Sequence, residues 1–169
     1  MVRPFEMIGD INNRKELWKL SVKIHHKWKV SMTNKKHFDI VVVDKQGHDI
    51  HVVVSIIFRQ TFDFVLSVNL MCMRSNFQVV PNDLTFIPTN HKYILKFTSG
   101  STIGDIDKHD IRDKMTNLTP FADIILRKWH KHLLTDIIGV VDEIGYSQSQ
   151  MGGKKPQINL VLRDLEYVS

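Results

Sequence analysis

The sequence is short of residues and segments on which several classes of protein depend. It has a single cysteine, Cys72, which excludes an internal disulfide framework and a cluster of thiolate metal ligands. Its longest apolar stretch, HVVVSIIF at residues 51–58, is far shorter than the roughly 20 residues needed to cross a bilayer. The first ten residues lack the apolar centre of a secretory signal. These absences predict a soluble, intracellular protein that does not contact a membrane.

Motifs for catalysis and metal binding are also missing. No strand is followed by a glycine-rich phosphate loop, and no GxSxG nucleophile motif occurs. His25 and His26, like His130 and His132, lack carboxylate or thiolate partners at zinc-ligand spacing. The aspartates of residues 105–113 lack the bidentate glutamate of an EF-hand. We therefore expect no enzymatic activity, no metal and no cofactor.

Positive charge is concentrated in the first part of the chain. Residues 1–100 hold 14 Lys or Arg against 8 Asp or Glu, whereas residues 101–169 hold 9 against 10. Residues 14–36 alone carry eight basic side chains and one acid, Glu16. This density is typical of a face that binds a polyanion, and the alternative is a solvated lysine surface.

The cationic segment has the pattern of a long strand. In WKLSVKIHHKWKV, residues 18–30, apolar side chains fall mostly on even positions and lysines on odd ones, which predicts one buried and one cationic face. Thirteen residues exceed the usual strand length, so we expect a bulge near His25 and His26 at which the faces exchange. The pattern leaves open whether Trp28 then lies inside or outside.

The next segments predict the rest of a small β-barrel. FDIVVVDKQGHDIHVVV is a hairpin with Lys45, Gln46 and Gly47 in its turn, and IFRQTFDFVL has the spacing of a short amphipathic helix. LMCMRSNFQVV is a fourth strand, PNDLTFIPTN a loop, and HKYILKF a fifth strand. This order predicts a mainly β chain: a five-stranded Greek-key OB-fold barrel over residues 1–98, with the helix between strands three and four.

The remaining residues predict a linker and a fragment of a second domain. Residues 99–118 have little apolar pattern and read as a linker. In residues 119–169, Thr119 and Pro120 begin a short helix, followed by two strand-like segments in LLTDIIGVVDEIG and QINLVLRDL. Two strands cannot close a barrel, so we expect them to dock, to pair with another chain or to stay loosely ordered.

This order of motifs resembles the large subunit of replication protein A, in the branch expanded among plants. The resemblance is carried by LWKLSVKIHHKW, FDIVVVDKQGHDIHVVV, SNFQVVPN, PTNHKYILKF, PFADII and DIIGVVDEIG, and it covers nearly the whole chain. It implies a nuclear protein of DNA replication, repair or recombination that binds single-stranded DNA. It also implies that DIIGVVDEIG and QINLVLRDL are the first two strands of a truncated second OB-fold.

The resemblance further implies which positions contact nucleic acid. The family stacks bases on two aromatics, one at the end of strand three and one in the loop before strand five. Phe86 matches the second position, whereas Ser55 stands at the first and has no ring. A missing stacking ring removes roughly 1–3 kcal/mol, so we expect weak, non-sequence-specific binding.

Several other side chains complete the predicted interface. His51 aligns with a basic position of the family and is expected to face outward beside Ser55. Trp28 is a candidate contact, and the predicted phosphate partners are Lys23, Lys27, Lys29, Lys35, Lys36, Arg74 and Lys92. An RNA-binding OB-fold remains an alternative, because it uses the same forces. Another is a protein-interaction module that has lost most DNA binding and pairs or self-associates through its incomplete second fold.

Overall fold

The computed structural model describes residues 3–15, 17–32, 35–58, 66–67, 71–105, 111, 118–128, 130, 132–148 and 157–164. The chain divides into two compact units. The first comprises Met1–Met115 and His132–Leu134, and the second comprises Thr116–Lys131 and Thr135–Ser169.

The first unit is built on one curved sheet. Val and Ile dominate its central strands, because branched side chains pack well on a pleated surface. The strands are β1 (Lys19–Met32), β2 (Lys35–Val43), β3 (Asp49–Ser55), β4 (Met71–Ser75), β5 (Gln78–Pro81), β6 (Tyr93–Lys96) and β7 (Thr102–Asp105). Their order in the sheet is β5-β6-β3-β2-β1-β4-β7. All neighbours are antiparallel except β3 and β6, which run parallel.

Chain continuity closes this sheet into a barrel. Strand β4 pairs with β1, near one end of the sheet, and strand β5 pairs with β6, at the other end. Only Asn76 and Phe77 separate them along the chain, and Asn76 has a φ of 59°. The segment predicted as one fourth strand is thus two strands joined at a sharp turn. The predicted mainly β OB-fold class is confirmed.

The core lies inside the barrel. One face of β1, β2 and β3 supplies Leu20, Ile24, Ile40, Val42 and Val52, each fully buried. Burying a side chain of this size is worth about 1.5–3 kcal/mol. Sixteen of the described residues form this cluster, including three from the segment before β1: Ile8, Ile11 and Trp18. The amino-terminal segment therefore belongs to the barrel and is not a free arm.

The β2–β3 turn is fixed by a buried carboxylate. Asp44 is 2% exposed and accepts hydrogen bonds from the backbone N–H groups of Gln46, at 2.9 Å, and His48, at 3.0 Å. Its second oxygen accepts from the N–H of Ile8 at 2.8 Å. Gly47 takes a φ of 83°, a conformation that glycine adopts without steric cost. The predicted turn at residues 45–47 is confirmed.

One segment differs from the prediction, and another lies partly outside the described residues. Strand β7 pairs with β4 and belongs to the first sheet, although it falls within residues 99–118, which were predicted as a linker. Hydrogen bonding to β4 orders this edge strand, although its short sequence has little apolar pattern. The predicted helix after β3 is described only at Ile56–Phe58, a 3-10 turn, and residues 59–65 lie outside the described residues.

The second unit contains a short helix and a hairpin. Helix α1 spans Phe121–Ile125 and confirms the predicted short helix, but Pro120 is its N-cap, so it begins one residue later than predicted. Strands β8 (Val140–Gln148) and β9 (Gln157–Arg163) pair antiparallel, with two register irregularities. Ile144 and Tyr146 are 64% and 59% exposed, so the hairpin leaves much apolar surface uncovered.

Candidate nucleic-acid interface

A bulge in β1 decides which side chains share a face. Ile24 lies opposite Val42 and His26 lies opposite Val41, so His25 is an extra residue in the ladder. The inserted residue exchanges the faces of the strand, as the sequence predicted. Beyond it, Trp28 shares the side of the sheet that points away from the core.

We call this surface the outer face. It is defined by side chains that are in register across β1, β2, β3 and β6 on the side opposite the core. Its three rows are His26, Val41, His51 and Ile94; Trp28, Asp39, Val53 and Lys96; and Val30, His37 and Ser55.

A cluster of rings and one carboxylate occupies the outer face. Asp39 Oδ1 lies 2.9 Å from His51 Nε2 and 3.3 Å from His37 Nε2. The indole of Trp28 lies nearly parallel to the His51 ring, with an interplanar angle of 8° and a centroid distance of 6.3 Å. His37 is partly exposed, whereas the Asp39 side chain is 12% exposed. The cluster therefore links β1, β2 and β3 through side chains.

His51 lies on the predicted face of the sheet but is buried there. Alternation along β3 placed it on the outer face, and the register agrees. The expectation that it faces solvent is wrong, because its side chain is only 2% exposed and is bonded to Asp39. A ring so deeply covered does not reach a phosphate or a base in this conformation. Its Nδ1 atom has no hydrogen-bond partner within the described part of the chain.

The predicted lysine contacts do not form one continuous patch. Lys23 precedes the bulge and lies opposite Val43, on the outer side. Lys27 and Lys29 follow the bulge and lie opposite Ile40 and Phe38, on the other side of β1, where Lys27 Nζ sits 4.9 Å from the Phe38 ring centre. Lys36 is exposed near the β1–β2 connection. The side chains of Lys35 and Arg74 lie outside the described residues.

The loop between β5 and β6 presents the predicted aromatic. Phe86 is 75% exposed, and Lys92, at the end of the same loop, is also exposed. The adjacent Ile87 is held by two backbone hydrogen bonds: its N–H donates to His132 O at 2.7 Å, and its carbonyl accepts from Leu134 N at 2.8 Å. Phe86 therefore projects from a segment whose backbone is tied down.

Sequence reasoning missed two side chains of the outer face. Lys96 is exposed and stands next to Val53 in the parallel β3–β6 ladder. His37 lies opposite Ser55 and contacts Asp39. Alternation in HKYILKF could have found Lys96, since Ile94 and Lys96 share a side. Alternation in HFDIVVVD likewise places His37 and Asp39 on one side, although it does not show their contact.

The described residues contain no group of three or more His, Cys, Asp or Glu side chains placed to hold a metal ion. Among the helices that the structure describes, none has the length and apolar character required to cross a membrane.

Residues 9–127 match the family described as domain of unknown function DUF223. The chain belongs to this family. No curated protein matches the sequence. The family match covers about two thirds of the chain, and its description assigns no function.

Solved structures identify the architecture. A chain of a replication protein A heterotrimer bound to ssDNA is similar over 98% of this chain and 39% of that chain, with a TM-score of 0.62 and 16% identity. DNA-binding domain A of Saccharomyces cerevisiae replication protein A is similar over 64% of this chain and 98% of its own length, with a TM-score of 0.50 and 17% identity. The barrel is an OB-fold like those of replication protein A. The chain spans about two fifths of the heterotrimer chain that it matches.

Proposed function

We propose that this protein binds single-stranded DNA through its barrel, weakly and without sequence preference. The observation that carries the proposal is the position of Phe86. Its ring is 75% exposed on the loop between β5 and β6 of an OB-fold, and the backbone beside it is pinned by Ile87. The ring is therefore presented to solvent by an ordered segment.

Single-strand binding requires flat rings for the bases and positive charge for the phosphates. Phe86 supplies a ring, and Lys23, Lys92 and Lys96 supply charge on the outer side of the barrel or on the adjacent loop. Lys27, Lys29 and Lys36 add charge elsewhere on the β1–β2 arm. Every base has a π face, so this arrangement does not select a sequence.

The likeness to replication protein A supports a broader assignment. We place the protein in the nucleus, in DNA replication, repair or recombination, as a relative of the large subunit. It acts by binding and not by catalysis. The 16% and 17% identities establish the fold alone, so the process rests on the combination of fold, exposed ring and basic first strand.

Fluorescence anisotropy with a labelled oligothymidine of about 16 nucleotides tests the proposal, since one OB-fold covers at most about that length. We expect saturable binding in low salt. No binding at tens of micromolar protein would reject the assignment. Competition with a matched oligouridine separates DNA from RNA preference, because both ligands offer bases and phosphates to the same surface.

A protein-interaction role is the second candidate, and the β8–β9 hairpin is the observation that favours it. Ile144, Tyr146 and Val161 are each at least half exposed, and such strands invite pairing with another chain. Sedimentation velocity at several protein concentrations discriminates. Self-association without affinity for oligothymidine supports this candidate, whereas a strict monomer that binds DNA contradicts it.

A further inference from the structure

We propose that Trp28 supplies the base-stacking surface that Ser55 lacks, and that His51, fixed by Asp39, holds the indole in its stacking orientation. This inference rests on the proposed function and names a second subsite on the same barrel. Its ligand is a nucleobase of a single strand.

Trp28 lies on the same surface as Ser55. Ser55 lies opposite His37, which lies opposite Val30, and Trp28 is two residues from Val30 on the same face of β1. With strands spaced about 4.8 Å apart, Trp28 and Ser55 are two strands apart on one surface. An indole at this position therefore shares the surface on which Ser55 and the exposed Lys96 lie.

The indole of Trp28 is aligned with the ring of His51. Its ring is parallel to the His51 ring within 8°. His51 is 2% exposed and its Nε2 atom lies 2.9 Å from Asp39 Oδ1. This hydrogen bond ties the imidazole of β3 to the carboxyl group of β2. The buried imidazole cannot turn without breaking this bond, and it fixes the plane against which the indole rests.

The Trp28 side chain is accessible to a ligand. It is partly exposed, although Val41 and His51 on the outer face are buried. The ring thus offers part of its surface to a base.

The experiment compares oligothymidine affinity across variants by fluorescence anisotropy. Trp28→Ala should raise Kd by about 5- to 150-fold, the range measured for loss of one stacking ring. Trp28→Phe should retain most of the affinity, since it keeps a flat ring. Leu17→Ala is the control: Leu17 is 53% exposed on the same unit and lies off the outer face, so its loss should leave Kd unchanged.

A double-mutant cycle tests the positioning role of His51. His51→Ala should raise Kd in the wild-type background and have little further effect in Trp28→Ala, because without the indole there is nothing to position. Additive effects of the two substitutions would contradict the positioning role. Thermal unfolding of each variant, followed by circular dichroism, shows whether affinity was lost through unfolding.

A second measurement does not depend on substituted proteins remaining folded. In the wild-type protein labelled with 5-fluorotryptophan, the Trp28 fluorine resonance, assigned with Trp28→Phe, should shift when oligothymidine is added. An unshifted resonance at saturation overturns the proposal. If the wild-type protein binds DNA and Trp28→Ala binds equally well, only this inference fails. If the wild-type protein does not bind, the proposed function fails with it.

Discussion

Asp44 shows how one side chain connects distant parts of the barrel. Three backbone N–H groups, those of Ile8, Gln46 and His48, donate to its two oxygens. The turn donors are near solvent, but the Ile8 donor is buried and depends on the carboxylate. This one residue therefore orders the hairpin turn and attaches the amino-terminal segment to it.

We expect Asp44→Ala to lower the free energy of unfolding by about 2–4 kcal/mol, because a buried donor left without a partner costs about 1–3 kcal/mol and the turn loses two further bonds. Asp44→Asn keeps one acceptor oxygen and should fall between this variant and the wild type. Urea unfolding measures both. Lys45→Ala, exposed in the same turn, is the control and should stay within about 0.5 kcal/mol of wild type. An Asp44→Ala midpoint equal to that of the control contradicts the assignment.

Phe86 carries the proposed function at the residue scale. We expect Phe86→Ala to weaken oligothymidine binding by about 1–3 kcal/mol, since it removes one stacking surface. Stability should be nearly unchanged, because the ring is already exposed. Leu84→Ala, in the same loop and 42% exposed, is the matched control. Equal affinities of the two variants would remove Phe86 from the interface.

Single residues also show where sequence reasoning stops. Alternation assigned His51 to the correct face, yet it cannot show that Asp39 and neighbouring strands cover the ring. Alternation alone does not show whether Lys27 and Lys29 take the core side or the outer side of β1, since that depends on the residue at which the ladder gains its extra member. The resemblance selected Phe86 as a stacking residue, and only the structure shows that its ring is exposed.

At the scale of elements, the central hairpin and the strands were predictable because period-two alternation and turn residues are local signals. The division of the fourth strand at Asn76 was not, because a positive φ at asparagine is set by barrel closure. Strand β7 was missed for a similar reason. Its pairing partner β4 is distant in sequence and gives the segment an order that its own composition does not encode.

Gly139 provides a test of the second unit. A Cβ atom built there would lie 2.9 Å from the carbonyl oxygen of Arg163 and 2.7 Å from the Phe121 ring. The ring can move, but the strand carbonyl cannot move without distorting β9. We expect Gly139→Ala to destabilise this unit by about 1–3 kcal/mol, seen as faster hydrogen exchange of the β8 and β9 amides.

Gly145→Ala is the matched control for Gly139→Ala. The added Cβ atom at Gly145 would lie 3.5 Å from the Cβ atom of Asn159, which is an ordinary contact distance. Hydrogen exchange in the hairpin should therefore stay close to wild type. Similar exchange rates in the two variants would show that the close approach at Gly139 relaxes without cost.

At the scale of the whole molecule, the positive charge lies on the unit that contains the OB-fold. The net charge of +5 arises from residues 1–100, which include nearly all of the barrel. The second unit has no such excess and exposes apolar strands instead. Attraction to a polyanion therefore belongs to the first unit.

This distribution predicts how binding responds to salt. Each phosphate neutralised on a single strand contributes about 0.7 to the slope of log Kd against log salt concentration. We expect a positive slope in the wild-type protein and a slope lower by about 0.7 in Lys96→Ala, because Lys96 is an exposed cation on the outer face. Lys45→Ala, in the β2–β3 turn, should leave the slope unchanged. A salt-independent Kd would exclude phosphate contacts.

The extra residue in β1 lets this strand lose one residue without reversing its second half. A gene lacking the codon for His25 would encode a regular ladder in which each later side chain keeps its present side. Loss of the codon for Lys27 would also leave a regular ladder with Trp28 and Lys29 on their present sides, and His26 would turn inward in place of Lys27. One deletion between Ile24 and Trp28 therefore removes the bulge, whereas a second deletion there would reverse the chemistry of the second half of the strand.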